Sequence, residues 1–187
     1  RASNFPFYKN LPFDVTAVIG HTRATTQGSV FINENNHPFK GVTKNGQEFV
    51  LAHNGMIWND RELKATNALS YTIETDSYVA VALLQQYDEI NMDSVKAVAE
   101  KLEGSFVLTI LAGDRVFFVK HDNPLTIYDF KELGFLLYAS TEDILLKGLK
   151  QERKLWKYYK KNKDKVDVIQ PKEASIMIYN RIKDTWE

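Results

Sequence analysis

Three short polar segments contain the residues best suited to bind a ligand or to take part in chemistry. The first, HTRATTQ at residues 21–27, follows an apolar run. Its Arg23 carries a planar guanidinium that can bind a carboxylate through two parallel hydrogen bonds, and Thr26 and Gln27 could add donors to the same anion. Taken alone, the segment also fits a strand-to-loop transition with a structural ion pair.

The second and third segments offer hydrogen-bond donors and a carboxylate. Asn54-Gly55 is a common turn pair, but the residues after it lack the alternation of a hairpin strand. An Asn amide and a Gly N–H can together donate two hydrogen bonds to one oxygen, which is the composition of an oxyanion hole in acyl transfer. In the third segment, Asp76 could bind an ammonium group, or Thr75 or Asp76 could cap the next helix.

These segments together match the polar groups of one small molecule. Arg23 suits an α-carboxylate, Asp76 suits an α-ammonium group, and Asn54 with Gly55 suits a carbonyl oxygen. A free amino acid with a side-chain carbonyl group carries all three, and glutamine is one such molecule.

The elements that position these residues fall into groups of helices and groups of strands. Strands are predicted at 15–21 and 48–54 with a loop over 24–47, and helices at 59–69, 75–87 and 92–102. Four β-rich runs over 104–139 predict an antiparallel meander, and a helix capped at Ser140 and strands at 166–170 and 174–180 follow. The grouping predicts an α+β fold in which helices cover antiparallel sheets.

Composition narrows the classes of protein. The 187 residues predict one domain, and the absence of cysteine excludes disulfides, a thiolate metal site and a cysteine nucleophile within the chain. It also favours a cytoplasmic location. Net charge is zero, although eight basic and two acidic residues give residues 150–165 a charge of about +6. We interpret that stretch as a solvated helix or linker, so neither nucleic-acid binding nor membrane insertion is expected.

Seven segments in order, from GHTRATTQG through LAHNGMIWN and ETDSYV to FLLYASTED, resemble a known family. Over residues 17–179 the chain resembles the class II glutamine amidotransferase domain of the N-terminal-nucleophile (Ntn) hydrolases. The hexosamine-forming and purine-pathway enzymes look most similar. The resemblance implies a four-layer αββα sandwich with mainly antiparallel sheets. It also implies cofactor-independent hydrolysis of the L-glutamine side-chain amide to glutamate and ammonia, which passes to an acceptor or synthase partner.

The resemblance also implies roles for particular residues. Arg23 would bind the glutamine α-carboxylate with help from Thr26, and Asp76 would bind the α-ammonium group. Asn54 and Gly55 would form the oxyanion hole. The chain departs from the family pattern where Ala24 replaces a frequent Trp and Gln27 replaces a frequent His.

The largest departure is the nucleophile, because the family uses an N-terminal cysteine and this chain has none. We therefore expect residues 1–187 to be one amidotransferase domain that lacks its first strands and its catalytic cysteine, and to be inactive alone. The stretch 150–165 would be a basic helical or linker insertion. A homo-oligomer is a further expectation.

Two other functions compete with this interpretation. The absence of cysteine favours a non-catalytic glutamine-binding or interaction module. A metal hydrolase would use His21, His37, His53 and Asp76, but their spacing matches no compact ligand motif, and no metal is expected.

Overall fold

Two antiparallel sheets organise the chain in a computed structural model that describes residues 15–22, 29 and 32–187. The larger sheet has the strand order β1-β2-β3-β4-β8-β9, and the smaller has the order β6-β5-β7. The strands are β1 Phe39–Val42, β2 Glu48–Ile57, β3 Gly104–Ala112, β4 Arg115–His121, β5 Thr126–Phe130, β6 Phe135–Ala139, β7 Asp167–Ile169, β8 Ser175–Asn180 and β9 Thr185–Trp186. The helices are α1 Asp60–Thr66, α2 Tyr78–Leu84, α3 Met92–Ala99, α4 Glu142–Gln151 and α5 Arg153–Lys161.

Three apolar clusters hold four layers together. The first packs the larger sheet against α2 and α3, the second lies between the two sheets, and the third packs the smaller sheet against α4 and α5. Strand β3 shows why its sequence does not alternate: Phe106 and Leu108 face the first cluster, whereas Val107 faces the second. Both faces are covered, so apolar residues suit every position. The α+β class and the αββα layering predicted from the sequence are confirmed.

The predicted strand at 15–21 is wrong, because residues 15–22 are described as irregular and pair with none of the described strands. An apolar run forms a strand only where a neighbour accepts its backbone hydrogen bonds. The predicted loop at 24–47 contains β1, which pairs with β2. The predicted meander is also divided: β3 and β4 pair in the larger sheet, whereas β5 and β6 pair in the smaller one.

The predicted helices are present with shorter or shifted bounds. Helix α2 begins at Tyr78, not at residue 75, and α4 is capped by Thr141, whose hydroxyl accepts the Ile144 N–H at 3.4 Å, not by Ser140. Asn59 precedes α1, but its side chain instead bonds the backbone at Lys101 and Glu103. The 150–165 stretch contains α5, and its status as an insertion stays a prediction. None of the helices in the described part of the chain has the length and hydropathy to span a bilayer.

Candidate functional site

A cavity of about 470 Å³ opens between the two sheets at one end of the sandwich. Its walls come from β2, β3 and β6, from the segment before β5, and from residues 18–22. Asn54 lines it from the larger sheet, and Leu125 and Ser140 line it from the side of the smaller sheet. His21 and Thr22 also line the cavity, so the chain reaches it immediately before the predicted ligands of the first polar segment. A concave site between layers that holds a few polar groups is typical of small-molecule binding.

The pair Asn54-Gly55 lies inside β2 rather than at its end. Strand β2 continues to Ile57, and Gly55 pairs with Phe106 of β3. Gly55 has a φ of 138°, a region open essentially to glycine alone. A Cβ at this position would also collide with the Ser105 carbonyl oxygen and lie 2.5 Å from Asn123 Nδ2. Both the backbone angle and the available space therefore require glycine here.

Side chains from three other segments hold this part of β2. Strand β1 pairs with Glu48–Leu51, and after residue 51 none of the other described strands pairs with β2 on that side. His37 Nδ1 accepts the His53 N–H at 3.1 Å, and Asp76 Oδ2 accepts the Ile57 N–H at 2.8 Å. Asn123 Nδ2 donates to the Asn54 carbonyl oxygen at 2.8 Å. These bonds satisfy backbone groups on both sides of Gly55 and fix its position.

The structure places Asp76 away from the lining of the cavity. Its side chain is buried, and Oδ2 is bound to the Ile57 N–H while Oδ1 accepts the Ser77 hydroxyl at 3.4 Å. The carboxylate therefore supports β2, a role that the sequence did not indicate. An ionised carboxylate has about four acceptor sites, so these two bonds leave lone pairs for a further donor. The predicted contact with an α-ammonium group stays a prediction.

A chain of hydrogen bonds connects three buried or half-buried side chains beside Asn54. His53 Nδ1 lies 2.7 Å from Ser77 Oγ, which lies 3.1 Å from His37 Nε2. Because His37 Nδ1 accepts the His53 N–H, a neutral His37 carries its proton on Nε2 and donates it to Ser77. Burial and the charge of His21 lower the pKa of His53 to about 3. His53 is therefore a neutral imidazole at pH 7.

Glu74, two residues before Asp76, is hydrogen-bonded to Ser29 and Asn35. The Ser29 N–H and Asn35 Nδ2 both donate to Glu74 Oε2, at 3.0 and 2.8 Å, and the Glu74 N–H donates to Asn35 Oδ1 at 3.0 Å. The Ser29 N–H, followed by the Asn35 amide, lowers the pKa of Glu74. Ser29 is thus bonded to the loop that carries Asp76.

Two of the predicted binding residues, Arg23 and Thr26, lie outside the described residues, as does Gln27. Their roles stay predictions. Of the residues proposed for a metal hydrolase, His21 and His37 have ring centroids 4.4 Å apart, and His53 is engaged with Ser77. Within residues 15–22, 29 and 32–187, no group of three or more candidate ligands is arranged to hold a metal ion.

Sequence reasoning missed the contacts of Ser77 and Asn123. Asn123 is 69 positions from the residue that it holds, and no local spacing reports a contact of that range. The one available signal is that HDNPLTIY, which contains Asn123, is one of the seven ordered segments on which the resemblance rests.

Comparison with protein families gives a match between residues 21–147 and the model of the glutamine amidotransferase domain. Glutamine–fructose-6-phosphate aminotransferase (isomerizing) of Staphylococcus aureus is 36% identical over 123 residues, which cover 62% of this chain and 20% of that protein. 7-cyano-7-deazaguanine synthase of Sulfolobus acidocaldarius is 32% identical over 101 residues, which cover 52% of this chain and 22% of that protein. The chain thus spans about a fifth of the length of these curated relatives.

Solved structures agree with the fold. Glutamine phosphoribosylpyrophosphate (PRPP) amidotransferase of B. subtilis, complexed with ADP and GMP, superposes with a TM-score of 0.66 at 18% identity, over 89% of this chain and 33% of that one. The allosteric regulatory enzyme of purine biosynthesis gives a TM-score of 0.59 at 17% identity, over 79% of this chain and 30% of that one. At these identities the similarity shows the fold alone.

Proposed function

This chain belongs to the glutamine amidotransferase domain family, and we infer that it binds L-glutamine in the cavity between its sheets for hydrolysis of the side-chain amide. The observation that carries this proposal is the position of Asn54, which lines the cavity next to a Gly55 whose conformation is fixed. Asn54 Nδ2 and the Gly55 N–H would donate to the amide oxygen of glutamine.

These two donors act where negative charge develops. A thiol that gives up its proton and attacks the amide carbon turns the carbonyl oxygen into an oxyanion, and preorganised donors stabilise that charge. The leaving nitrogen takes up that proton as the C–N bond breaks, so that ammonia leaves. Water then hydrolyses the thioester to glutamate and restores the thiol. The 187 residues contain no cysteine, so this chemistry requires a thiol from outside them.

The remaining groups of glutamine would be bound at the cavity's edge. We assign the α-carboxylate to Arg23 with Thr26, and the α-ammonium group to Asp76. The Glu74 contacts support this assignment, because they bond Ser29, two residues after the first segment, to the loop that carries Asp76.

We propose no particular compound as the ammonia acceptor. The relatives' names give different acceptors, fructose 6-phosphate in one and PRPP in another. For this chain we propose an acceptor domain or synthase partner in the cytoplasm, of a kind that its sequence does not specify.

A second function is favoured by one observation, the absence of cysteine. A domain of the same fold could bind glutamine without hydrolysing it, and would then report glutamine concentration or hold a partner. This candidate shares the binding site with the first and differs in chemistry alone.

Calorimetry with L-glutamine on the 187-residue chain tests the shared part of both proposals. We expect L-glutamine to bind, and Arg23→Ala to weaken binding about 10- to 100-fold, because a charge-assisted hydrogen-bond pair is lost. Arg61→Ala, on the exposed first turn of α1, is the matched control and should leave the affinity unchanged. If the wild-type chain does not bind L-glutamine, both proposals fail.

Ammonia release by the full-length gene product then separates the two candidates. Release of ammonia from L-glutamine supports hydrolysis. Binding without any release, with and without candidate acceptors, supports the non-catalytic module.

A further inference from the structure

One side chain from outside β2 holds the Asn54–Gly55 peptide. Asn123 Nδ2 donates to the Asn54 carbonyl oxygen at 2.8 Å and to the Ser105 carbonyl oxygen at 3.3 Å, while Ser105 Oγ donates to Asn123 Oδ1 at 2.9 Å. Carbonyl oxygens only accept hydrogen bonds, so the side of the amide that faces them is its NH₂ group. The contacts therefore define the orientation of the Asn123 side chain.

We propose that Asn123 is a positioning residue that aims the Gly55 N–H at the amide oxygen of bound glutamine. The proposal rests on the function proposed above, in which Gly55 contributes to the oxyanion hole. Among the described residues the cis peptide bond is His37–Pro38, so the Asn54–Gly55 bond is trans. In a trans peptide the C=O and N–H share one plane and point in opposite directions. A side chain that fixes the Asn54 carbonyl therefore also fixes the direction of the Gly55 N–H.

The surroundings of Gly55 show why this restraint matters. Glycine has more backbone freedom than any other residue, so a hole built on it needs an external restraint. His37 and Asp76 bind the N–H groups of His53 and Ile57, and β3 pairs with Asn54 and Gly55 along the other edge of β2. Asn123 adds a side-chain hydrogen bond directly to the Asn54–Gly55 peptide and occupies the space into which a Cβ at Gly55 would project.

The same contact couples the two sheets at the cavity. Asn123 lies between β4 and β5, where the chain leaves the larger sheet for the smaller one. The next two residues, Pro124 and Leu125, line the cavity. The bond from Asn123 to Asn54 thus joins the wall formed by this crossing segment to the wall formed by β2.

Three variants separate positioning from general support of the loop. Asn123→Asp keeps the shape and the acceptor for Ser105 Oγ but removes the donor to Asn54. Ser105→Ala keeps that donor but removes the hydroxyl that holds the amide, so its effect should be smaller. Asn67→Asp is the matched control, because Asn67 Nδ2 also donates to a backbone carbonyl, that of Leu63 at 2.9 Å, on α1.

The spectroscopic readout uses the two Asn–Gly peptides of the chain, 45–46 and 54–55. With ¹³C-carbonyl Asn and ¹⁵N Gly, an HNCO spectrum of the 187-residue protein shows these two peptides alone. Asn123→Asp should shift the 54–55 peak and leave the 45–46 peak in place. L-glutamine should move the 54–55 peak in the wild type and move it much less in the variant. An unmoved 54–55 peak in Asn123→Asp overturns the proposal.

The kinetic readout is the split between kcat and KM in the full-length gene product. A misdirected oxyanion donor should lower kcat tenfold or more with KM within about twofold, because the donor acts mainly on the transition state. Asn67→Asp should change neither constant. If Asn54→Ala lowers kcat and Asn123→Asp does not, the positioning role fails and the proposed function stands. If neither variant changes kcat, the oxyanion hole proposed at Asn54-Gly55 fails as well.

Discussion

Acidification should destabilise this protein well above the pH at which its carboxylates titrate, because His53 is buried in neutral form. Its side chain is 2% exposed, and burial and the charge of His21 lower its pKa from 6.5 to about 3. A histidine with a depressed pKa contributes stability that is fully present above its unfolded pKa. That stability is lost as pH falls from about 6.5 towards 3.

The magnitude follows from the size of the shift. One pKa unit corresponds to about 1.36 kcal/mol, and the unfolded histidine is half protonated at pH 6.5, so the fall from pH 6.5 to 4.5 should reduce the free energy of unfolding by about 2.3 kcal/mol. Carboxylates with a lowered pKa, including Glu74 and Glu173, begin to lose their stabilisation as pH falls towards their ordinary value of 4.5. The upper part of the window, from pH 7.0 to 5.5, therefore reports the histidine contribution.

Urea unfolding followed by circular dichroism at pH 7.0, 6.0, 5.0 and 4.5 measures this dependence. His53→Asn retains a group able to bond Ser77 and removes the titration, so its free energy of unfolding should vary far less across the window. A wild-type free energy that is constant from pH 7.0 to 4.5, or an equal slope in His53→Asn, would refute the assignment of a buried neutral His53.

Two substitutions and one titration test the contacts that hold the site in place. Gly55→Ala should lower the free energy of unfolding by about 3 kcal/mol, since it adds both backbone strain and a steric collision. Gly113→Ala, where φ is 56° and the space is open, should lower it by about 1 kcal/mol. Equal losses in urea unfolding would count against the special geometry of Gly55. Asn35→Ala should lower the free energy of unfolding by about 2–3 kcal/mol, because the buried amide makes two hydrogen bonds with Glu74. A melting temperature equal to that of the wild type would contradict this prediction. The Ser29 amide resonance should titrate with a midpoint below pH 4.5, since it bonds the Glu74 carboxylate, whose pKa is lowered; a midpoint at or above 4.5 would be inconsistent with that bond.

Much of the layer architecture could be predicted because it depends on local patterns. The amphipathic run that became α3 and the doubly buried run of β3 each carry a periodicity that determines the element. The four residues of β1, FKGV, carry no such signal, and they form a strand because β2 offers them a partner. The apolar run at 15–21 is the opposite case. Its residues favour a strand, but it pairs with none of the described strands and is irregular.

The candidate site also combines residues that local patterns predict with residues that they do not. The sequence predicts Asn54 and Gly55 as site residues because a side-chain amide beside a glycine has a recognisable composition. It does not predict their supports, because Asn123, Ser77 and His37 reach β2 from segments distant in the chain. Asp76 illustrates the limit, since its residue type predicts an ammonium ligand, which stays a prediction, but does not predict its bond to the β2 backbone.

The central claim is that Asn54 and Gly55 stabilise an oxyanion formed from the glutamine side-chain amide. Its most direct test is the steady-state rate of ammonia release from L-glutamine by the full-length gene product, wild type against Asn54→Ala. We predict a fall in kcat of about 10²–10³ with little change in KM, as expected when one oxyanion donor is removed. An Asn54→Ala enzyme that releases ammonia at the wild-type kcat would contradict the claim.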